Sequence, residues 1–365
     1  MDALARALQN GGHPGGSYST YRILKALEPV LRPTDFVMSS KGHDSAALLA
    51  WTGGDPTTYR RVNGWPGHPE RGTYGTMVSV GSLGMGLSKA VGLAYADRTQ
   101  RVFCIVGDGE QQEGQVWEAA QVAARLHLDN LIVILDANGA QSDNRPMPIP
   151  QDRHPDGLWK AACWSVLPSH LGEDGLTTLE VPPGWPLCVL FHGTKDHPHA
   201  TSKRKRAVMV EAYRGALLRS LALDHDLVLL EADLAYDLGL EGFEHRTIAC
   251  GISEQHMVSM AVGLAAAGKH PICHTFSRFY LRAAEQVYDA LREPGLAIRF
   301  VGGLAGPLPV GPGPSHEIDA ATEAALFPCR TYTPRTVDEV GPAVASMLRQ
   351  PRSTYLRLLV QPDLA

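Results

Sequence analysis

The stretch from Val102 to Asn138 constrains the fold more than any other part of the chain. An apolar run, Val102 to Val106, stops at Gly107-Asp108-Gly109, and a second run, Leu131 to Leu135, stops at Asp136-Ala137-Asn138. Short apolar runs bounded by turn residues read as strands buried on both faces, as in parallel sheets. Between them, Glu118 to Leu126 is rich in Ala, Gln, Val and Leu and contains no Gly or Pro, so it reads as the crossover helix that parallel neighbours require. A carboxylate and a side-chain amide thereby reach the carboxyl ends of two strands of one sheet, where open α/β sheets take their ligands.

Similar alternation runs through the rest of the chain. Residues 1–12 allow at most two helical turns before Gly11-Gly12; Tyr21 to Leu27 reads as a helix and Asp35 to Met38 as a strand. The loop Ser39 to Ser45 opens a helix over Ala46 to Trp51, and the glycine-rich segment Val80 to Gly86 precedes an Ala-rich helix ending near Ala96. Strands are expected over Cys163 to Leu167 and Leu187 to Phe191, then a polar, basic linker over residues 192–206. Beyond it, helices are expected over 207–222, 254–267, 280–291, 320–326 and 337–348, and strands over 227–231, 246–249, 272–274, 297–302 and 354–359. The expectation is an α/β chain of two domains, 1–191 and 207–365, each a mainly parallel sheet flanked by helices.

Composition bounds the function. A chain of 365 residues suits two cores, and 44% apolar residues with a formal charge of −5 describe a soluble protein without the basic balance of a nucleic-acid binder. The basic run Lys203 to Arg206 reads as a solvated linker face. Six scattered cysteines without a CxxC pair read as free thiols of a reducing compartment. No signal-peptide core and no membrane-length apolar run is present, so the expected location is cytoplasmic, with no membrane partner.

Asp108 and Asn138 offer hard oxygen ligands, and Gly107 and Gly109 let backbone amides approach a phosphate; together they suit a diphosphate held through Mg²⁺, with Ca²⁺ or Mn²⁺ as substitutes. Gly-Asp-Gly alone is ordinary turn chemistry. Here 28 residues, 110–137, separate it from Asn138, and both ends of the unit are polar. That spacing resembles the thiamine diphosphate motif, and GDGEQQEGQVWEAA resembles the transketolase family. The resemblance implies thiamine diphosphate as cofactor and a metal held by Asp108, Asn138 and the carbonyl of Ala140. Gly81, Ser82 and Leu83 would join Gly107 and Gly109 against the cofactor, and Glu113 would link two active sites across a dimer, its bland alternative being a helix cap.

Gly251-Ile-Ser-Glu254-Gln-His-Met-Val is the second motif. A glutamate in a first helical turn is favoured by the helix dipole alone. In the family this glutamate hydrogen-bonds a ring nitrogen of the cofactor's aminopyrimidine, and Glu254 is expected to act electronically there. Phe276 and Phe279 match the aromatic platform for that ring, and Asp233 falls beside it. His13, His43, His68 and His316 stand in motifs that resemble polar active-site segments of the family: His43 and His68 near the diphosphate and reacting carbon, His13 and His316 at the donor's oxygens. A lone histidine near Pro and Gly is usually a turn residue, but four in matching motifs reverse that preference. A fifth, His197, lies in a segment shorter than the family's.

Arg214 and Arg357 match the two arginines that grip a sugar phosphate. The family's companion histidine is replaced by an apolar residue near Leu304, and its acidic reader of the donor hydroxyl falls on Pro312 or its neighbours. The resemblance ends without the family's third, C-terminal domain, which raises a partner chain in its place. The implied activity is transfer of a two-carbon ketol unit from a ketose to an aldehyde, by a homodimer with active sites at the subunit interface. The alternatives are a 2-oxo acid decarboxylating acyloin synthase resembling deoxyxylulose-phosphate synthase, and a cofactor-binding subunit that is non-catalytic or works only with a partner.

Overall fold

The computed structural model describes residues 2–139, 156–169, 183–191, 207–306 and 316–359. The chain divides into two compact units, residues 1–202 with 310–315 and residues 203–309 with 316–365. The linker expected over 192–206 lies outside the described residues.

The first unit is a five-stranded sheet of β1 (Phe36–Ser39), β2 (Val102–Gly107), β3 (Leu131–Asp136), β4 (Ser165–Ser169) and β5 (Leu187–Phe191), in the order β1-β2-β3-β5-β4. Every pairing is parallel. Alternate residues of each strand enter opposite cores: Val102, Cys104 and Val106 meet helices Met85–Ala96 and Gly114–Arg125, while Phe103 and Ile105 meet helices Pro14–Leu27 and Ser45–Thr52. This double burial explains the unbroken apolar runs.

The second unit is a six-stranded sheet of β6 (Leu227–Glu231), β7 (Thr247–Ala249), β8 (His270–Phe276), β9 (Arg299–Ala305), β10 (Arg330–Tyr332) and β11 (Thr354–Leu359), in the order β10-β11-β9-β8-β6-β7. Its pairings are also all parallel. Helices Val208–Leu223 and Val337–Leu348 cover one face; Glu254–Ala266 and Ala284–Ala290 cover the other.

Several elements differ from the sequence reading. The helix expected from Tyr21 begins at Pro14, because proline is suited to a first helical position and the pair Gly15-Gly16 does not break the turn that follows. The crossover helix begins at Gly114, four residues before Glu118. The segment expected as one helix from Tyr280 is a 3₁₀ stretch, Ser277–Ala283, leading into the helix Ala284–Ala290. The edge strand β10 and the helix Asp156–Ala161 carry too few residues for their periodicity to stand out.

Candidate active site

Strand register builds the carboxyl edge of the first unit. Gly107 pairs with Asp136, so Asp108, one residue on, and Asn138, two residues on, follow the ends of adjacent strands. The Asp108 carboxylate is buried and accepts from Gly109 N–H at 2.9 Å and Gly139 N–H at 2.6 Å. It thus sits against the residue that follows Asn138. Ala140, the expected carbonyl ligand, lies outside the described residues.

Beneath this edge is a buried charge network. Lys41 Nζ donates to Asp136 Oδ2 at 2.7 Å and lies 3.8 Å from Asp44 Oδ2. Ser19 donates to Asp136 at 2.7 Å, and Thr20 and Ser39 donate to Asp44 at 2.5 and 2.6 Å. Burial works against the Lys41 charge, but Asp136 and Asp44 outweigh it and hold the ammonium above its ordinary range. Glu110 is likewise enclosed, accepting from Ser40 Oγ, Gly84 N–H and Gly107 N–H. Burial pushes its carboxyl up, against the pull of those donors and Lys41. Sequence reading named neither Lys41, Asp136 nor Glu110 as a functional residue. A charge that interrupts or ends an apolar run, as Asp136 does in Leu-Ile-Val-Ile-Leu-Asp, was the available signal.

Of the expected histidines, His13 and His43 are brought together. His13 precedes helix Pro14–Leu27, and its ring lies 5.1 Å, edge to face, from that of His43. His43 Nδ1 is 2.9 Å from the Lys41 carbonyl. A Cβ on Gly16 would come within 2.7 Å of His43 Nε2, so glycine there makes room for the imidazole. His68 is buried in a turn pinned on both sides: Ser45 Oγ donates to the Gly67 carbonyl at 2.6 Å and Val80 N–H to the Pro69 carbonyl at 2.8 Å. The loop of Gly81, Ser82 and Leu83 packs on the histidine loop, because a Cβ on Gly42 would lie 2.9 Å from Gly81 Cα. Glu113 is buried at the N-cap of helix Gly114–Arg125.

In the second unit, Glu254 opens helix Glu254–Ala266 just beyond the carboxyl end of β7 and is 3% exposed. Its charged neighbour is Arg282, with Nε 3.8 Å from Oε2. Burial pushes its carboxyl up, and Arg282 opposes the rise. Phe276 ends β8 and Phe279 follows in the 3₁₀ stretch, with ring centroids 5.4 Å apart at 47°. The His316 ring lies 5.1 Å from Phe279 and 6.0 Å from Phe276. Asp233 is buried in the left-handed region, with φ of 57°, two residues past the end of β6. Below the aromatic pair, His274 is wholly buried between the Tyr213 hydroxyl, 2.7 Å from Nε2, and the Leu230 carbonyl, 2.9 Å from Nδ1. Burial lowers its pKa to about 4, so the ring is neutral, donating from Nδ1 and accepting at Nε2.

Each of the two expected phosphate arginines is held by partners of its own. Arg214 donates from Nη1 to the carbonyls of Gly239, at 2.9 Å, and Glu241, with its guanidinium over the Phe243 ring at 4.9 Å. Arg357 donates from Nε to the buried carboxylate of Glu323 at 2.8 Å, and Tyr355 donates to the same group. Leu356 and Leu358 enter the core shared with helix Val208–Leu223, so Arg357 and Tyr355 project from the opposite face. Leu304, where the family's histidine was expected, has φ of 50°. Pro312 and His197 lie outside the described residues.

The first edge suits a metal-bound diphosphate. No group of three or more His, Cys, Asp or Glu side chains able to hold a metal occurs among the described residues. One carboxylate beside one side-chain amide leaves most of the oxygen shell to phosphates and water, as Mg²⁺ prefers. The second edge suits an uncharged aromatic ring, which Phe276 and Phe279 could face while Glu254 offered its carboxyl.

Comparison with known proteins agrees with both. Residues 35–180 match the transketolase thiamine diphosphate binding domain, and residues 205–359 the transketolase pyrimidine binding domain. The chain belongs to the transketolase family. It is similar to the transketolase of Mus musculus, at 28% identity over 78% of this chain and 60% of that protein. A 6-deoxy-6-sulfo-D-fructose transketolase subunit, SqwG, of Clostridium sp. (strain MSTE9) is 36% identical over 42% of this chain and 65% of its own length. A probable chloroplastic 1-deoxy-D-xylulose-5-phosphate synthase of Capsicum annuum is 27% identical over 86% of this chain and 57% of that protein. The match to the mouse transketolase thus spans about three fifths of its length. No helix among the described residues is long and apolar enough to cross a membrane.

Proposed function

We propose that this chain is a thiamine diphosphate-dependent transferase that moves a two-carbon ketol unit from a ketose to an aldehyde. In this reading residues 1–191 bind the diphosphate and metal, 192–206 link, and 207–365 bind the pyrimidine. Two copies form a cytoplasmic homodimer with active sites at their interface, and a partner chain can supply further surface. The observation that carries the reading is the Glu254 carboxyl, enclosed at a helix start with its pKa raised by burial and lowered by Arg282. A carboxyl so held can share a proton with a weakly basic ring nitrogen instead of remaining a solvated anion.

When bound, thiamine diphosphate supplies an electron sink for breaking a carbon–carbon bond next to a carbonyl. The chain's residues do the rest. Asp108 and Asn138, with the carbonyl of Ala140, hold Mg²⁺ against the diphosphate, and Gly107 and Gly109, which carry no side chains, let the diphosphate come close to the backbone while their amides are held by Glu110 and Asp108. Glu254 hydrogen-bonds the pyrimidine, Phe279 stacks on it, Phe276 walls it and Asp233 borders it. His43 and His68 flank the diphosphate and reacting carbon. His13 and His316 exchange protons with the donor's hydroxyls, while Arg214 and Arg357 serve the donor's far end.

The test is circular dichroism and calorimetric titration of thiamine diphosphate with Mg²⁺ into the wild type and Glu254→Gln, followed by a screen of ketose donors. Binding by both proteins, with donor-induced bands in the wild type alone, is the expected result. Carbon dioxide release from pyruvate would replace ketol transfer with decarboxylating acyloin synthesis, a reading favoured by the similarity to the Capsicum synthase. Failure of the folded wild type to bind cofactor would sink both.

A further inference from the structure

We infer that Glu110 is the positioning residue of the first edge: its buried carboxylate ties three separate loops into one preformed cradle for the cofactor's phosphates. The inference rests on reading that edge as the diphosphate site. Oε1 accepts from Ser40 Oγ in the loop after β1 and from Gly84 N–H, at 2.7 Å, in the loop before helix Met85–Ala96. Oε2 accepts from Gly107 N–H, at 3.2 Å, at the end of β2. Side chain and partners are enclosed, with Glu110 2% exposed.

The chemistry of the three loops makes such a tie necessary. Gly84 caps helix Met85–Ala96 in the left-handed conformation, with φ of 82°, and has no side chain to cap it with. Glu110 supplies from another segment the acceptor for the N-cap amide that, in a capping box, a glutamate three residues into the helix supplies. Ser40 is pressed onto the same helix, since a Cβ on Gly86 would lie 2.6 Å from Ser40 Cα. Gly107 ends β2 and Gly109 opens the 3₁₀ turn that carries Glu110, so the carboxylate reaches back to the strand end it follows. Removing the carboxylate leaves two buried amides without their acceptor and the three loops without their common partner. A cradle that must then order itself on binding loses cofactor affinity.

The chosen variants are Glu110→Gln and Glu110→Ala. Glutamine has a single acceptor oxygen, so whichever way its amide points, an NH₂ group faces the N–H of Gly84 or of Gly107. Hydrogen exchange on the protein without cofactor reads the cradle directly. Both glycine amides should exchange at least about tenfold faster in Glu110→Ala, and one of the two in Glu110→Gln. Calorimetric titration of thiamine diphosphate with Mg²⁺ should show Kd raised by about tenfold or more in Glu110→Ala and by less in Glu110→Gln. The loss should fall on Kd and the cofactor KM more than on kcat at saturation. Protected amides with an unchanged Kd in folded Glu110→Gln would overturn the inference. If the amides loosen as expected but the wild type takes no thiamine diphosphate, the tie stands and the diphosphate reading falls. Should Glu110→Ala fail to fold, Glu110→Gln carries the test alone.

Discussion

The two sheets have the same architecture and opposite electrostatics at their carboxyl edges. In the first, buried charges are matched one against another: Lys41 against Asp136 and Asp44, whose carboxylates also accept from the hydroxyls of Ser19, Thr20 and Ser39. In the second, burial favours the uncharged forms beside an aromatic wall: His274 is neutral between Tyr213 and Leu230, and the Glu254 carboxyl is pushed up by burial against the pull of Arg282 at 3.8 Å. A paired network fixes the loops around it in one arrangement. Desolvated groups whose charge is not fully compensated stay poised to exchange or share a proton. One fold thus serves two tasks by changing how its buried charges are compensated.

The largest effect that would test this contrast is on Lys41. Lys41→Met leaves Asp136 and Asp44 as buried carboxylates without a counter-charge, which should cost about 3–5 kcal/mol in urea unfolding. A loss of under about 1 kcal/mol would show that the network is not a charge-matched one, and the contrast between the edges would collapse.

This network also marks where sequence reading stops. Apolar runs that end abruptly placed β2, β3, β5, β6 and β11 within a residue or less, and the register then brought Asp108 and Asn138 to the ends of adjacent strands. Glu254 was legible through the resemblance of Gly251-Ile-Ser-Glu254-Gln-His-Met-Val to the family's motif, and its helix begins on it. The pairing of Lys41 with Asp136 was not, because the partners stand 95 residues apart and local pattern carries no record of a contact that topology creates. Glu110 was passed over for the same reason: it looks like a solvated acid in a polar turn until Ser40 and Gly84 are brought to it. The helix before Tyr21 was missed because Gly15-Gly16 resembles a turn, whereas Gly16 is small to admit the His43 ring.

Next in size is the acid response of His274. Its folded pKa, about 4, lies below the unfolded value of about 6.5, so the stability it contributes is present above pH 6.5 and is lost as pH falls towards 4. The stability gap between wild type and His274→Phe should therefore shrink by up to about 3 kcal/mol between pH 7 and pH 4. A gap independent of pH would mean that the ring is not held neutral.

Smaller again is a matched pair of glycine substitutions, one in each unit. Alanine ordinarily stabilises a helix relative to glycine by about 0.5–1 kcal/mol. At Gly263 in helix Glu254–Ala266 nothing lies within 4 Å of a new Cβ, and Gly263→Ala should show that gain as a raised Tm. At Gly86 the Cβ would come within 2.6 Å of Ser40 Cα, and Gly86→Ala should instead lose about 1–3 kcal/mol by overpacking. Equal responses at both positions would show that the first edge is no tighter than the second.

The smallest expected change in stability, Glu254→Gln, bears hardest on function. Because burial raises the Glu254 pKa above its unfolded value, the carboxyl's contribution is fully present below about pH 4.5 and is lost as pH rises through the folded pKa. At neutral pH the glutamine variant should therefore be as stable as the wild type or slightly more so, within about 1 kcal/mol in urea unfolding. Its advantage should disappear in acid. Turnover, by contrast, should fall by about 10²–10⁴-fold, the range lost when a proton-sharing group is removed. A group that costs stability at working pH and yet is required for turnover is retained for its chemistry. A variant that unfolds several kcal/mol more easily at pH 7 would make Glu254 a structural partner of Arg282, and the second edge would then be charge-matched like the first.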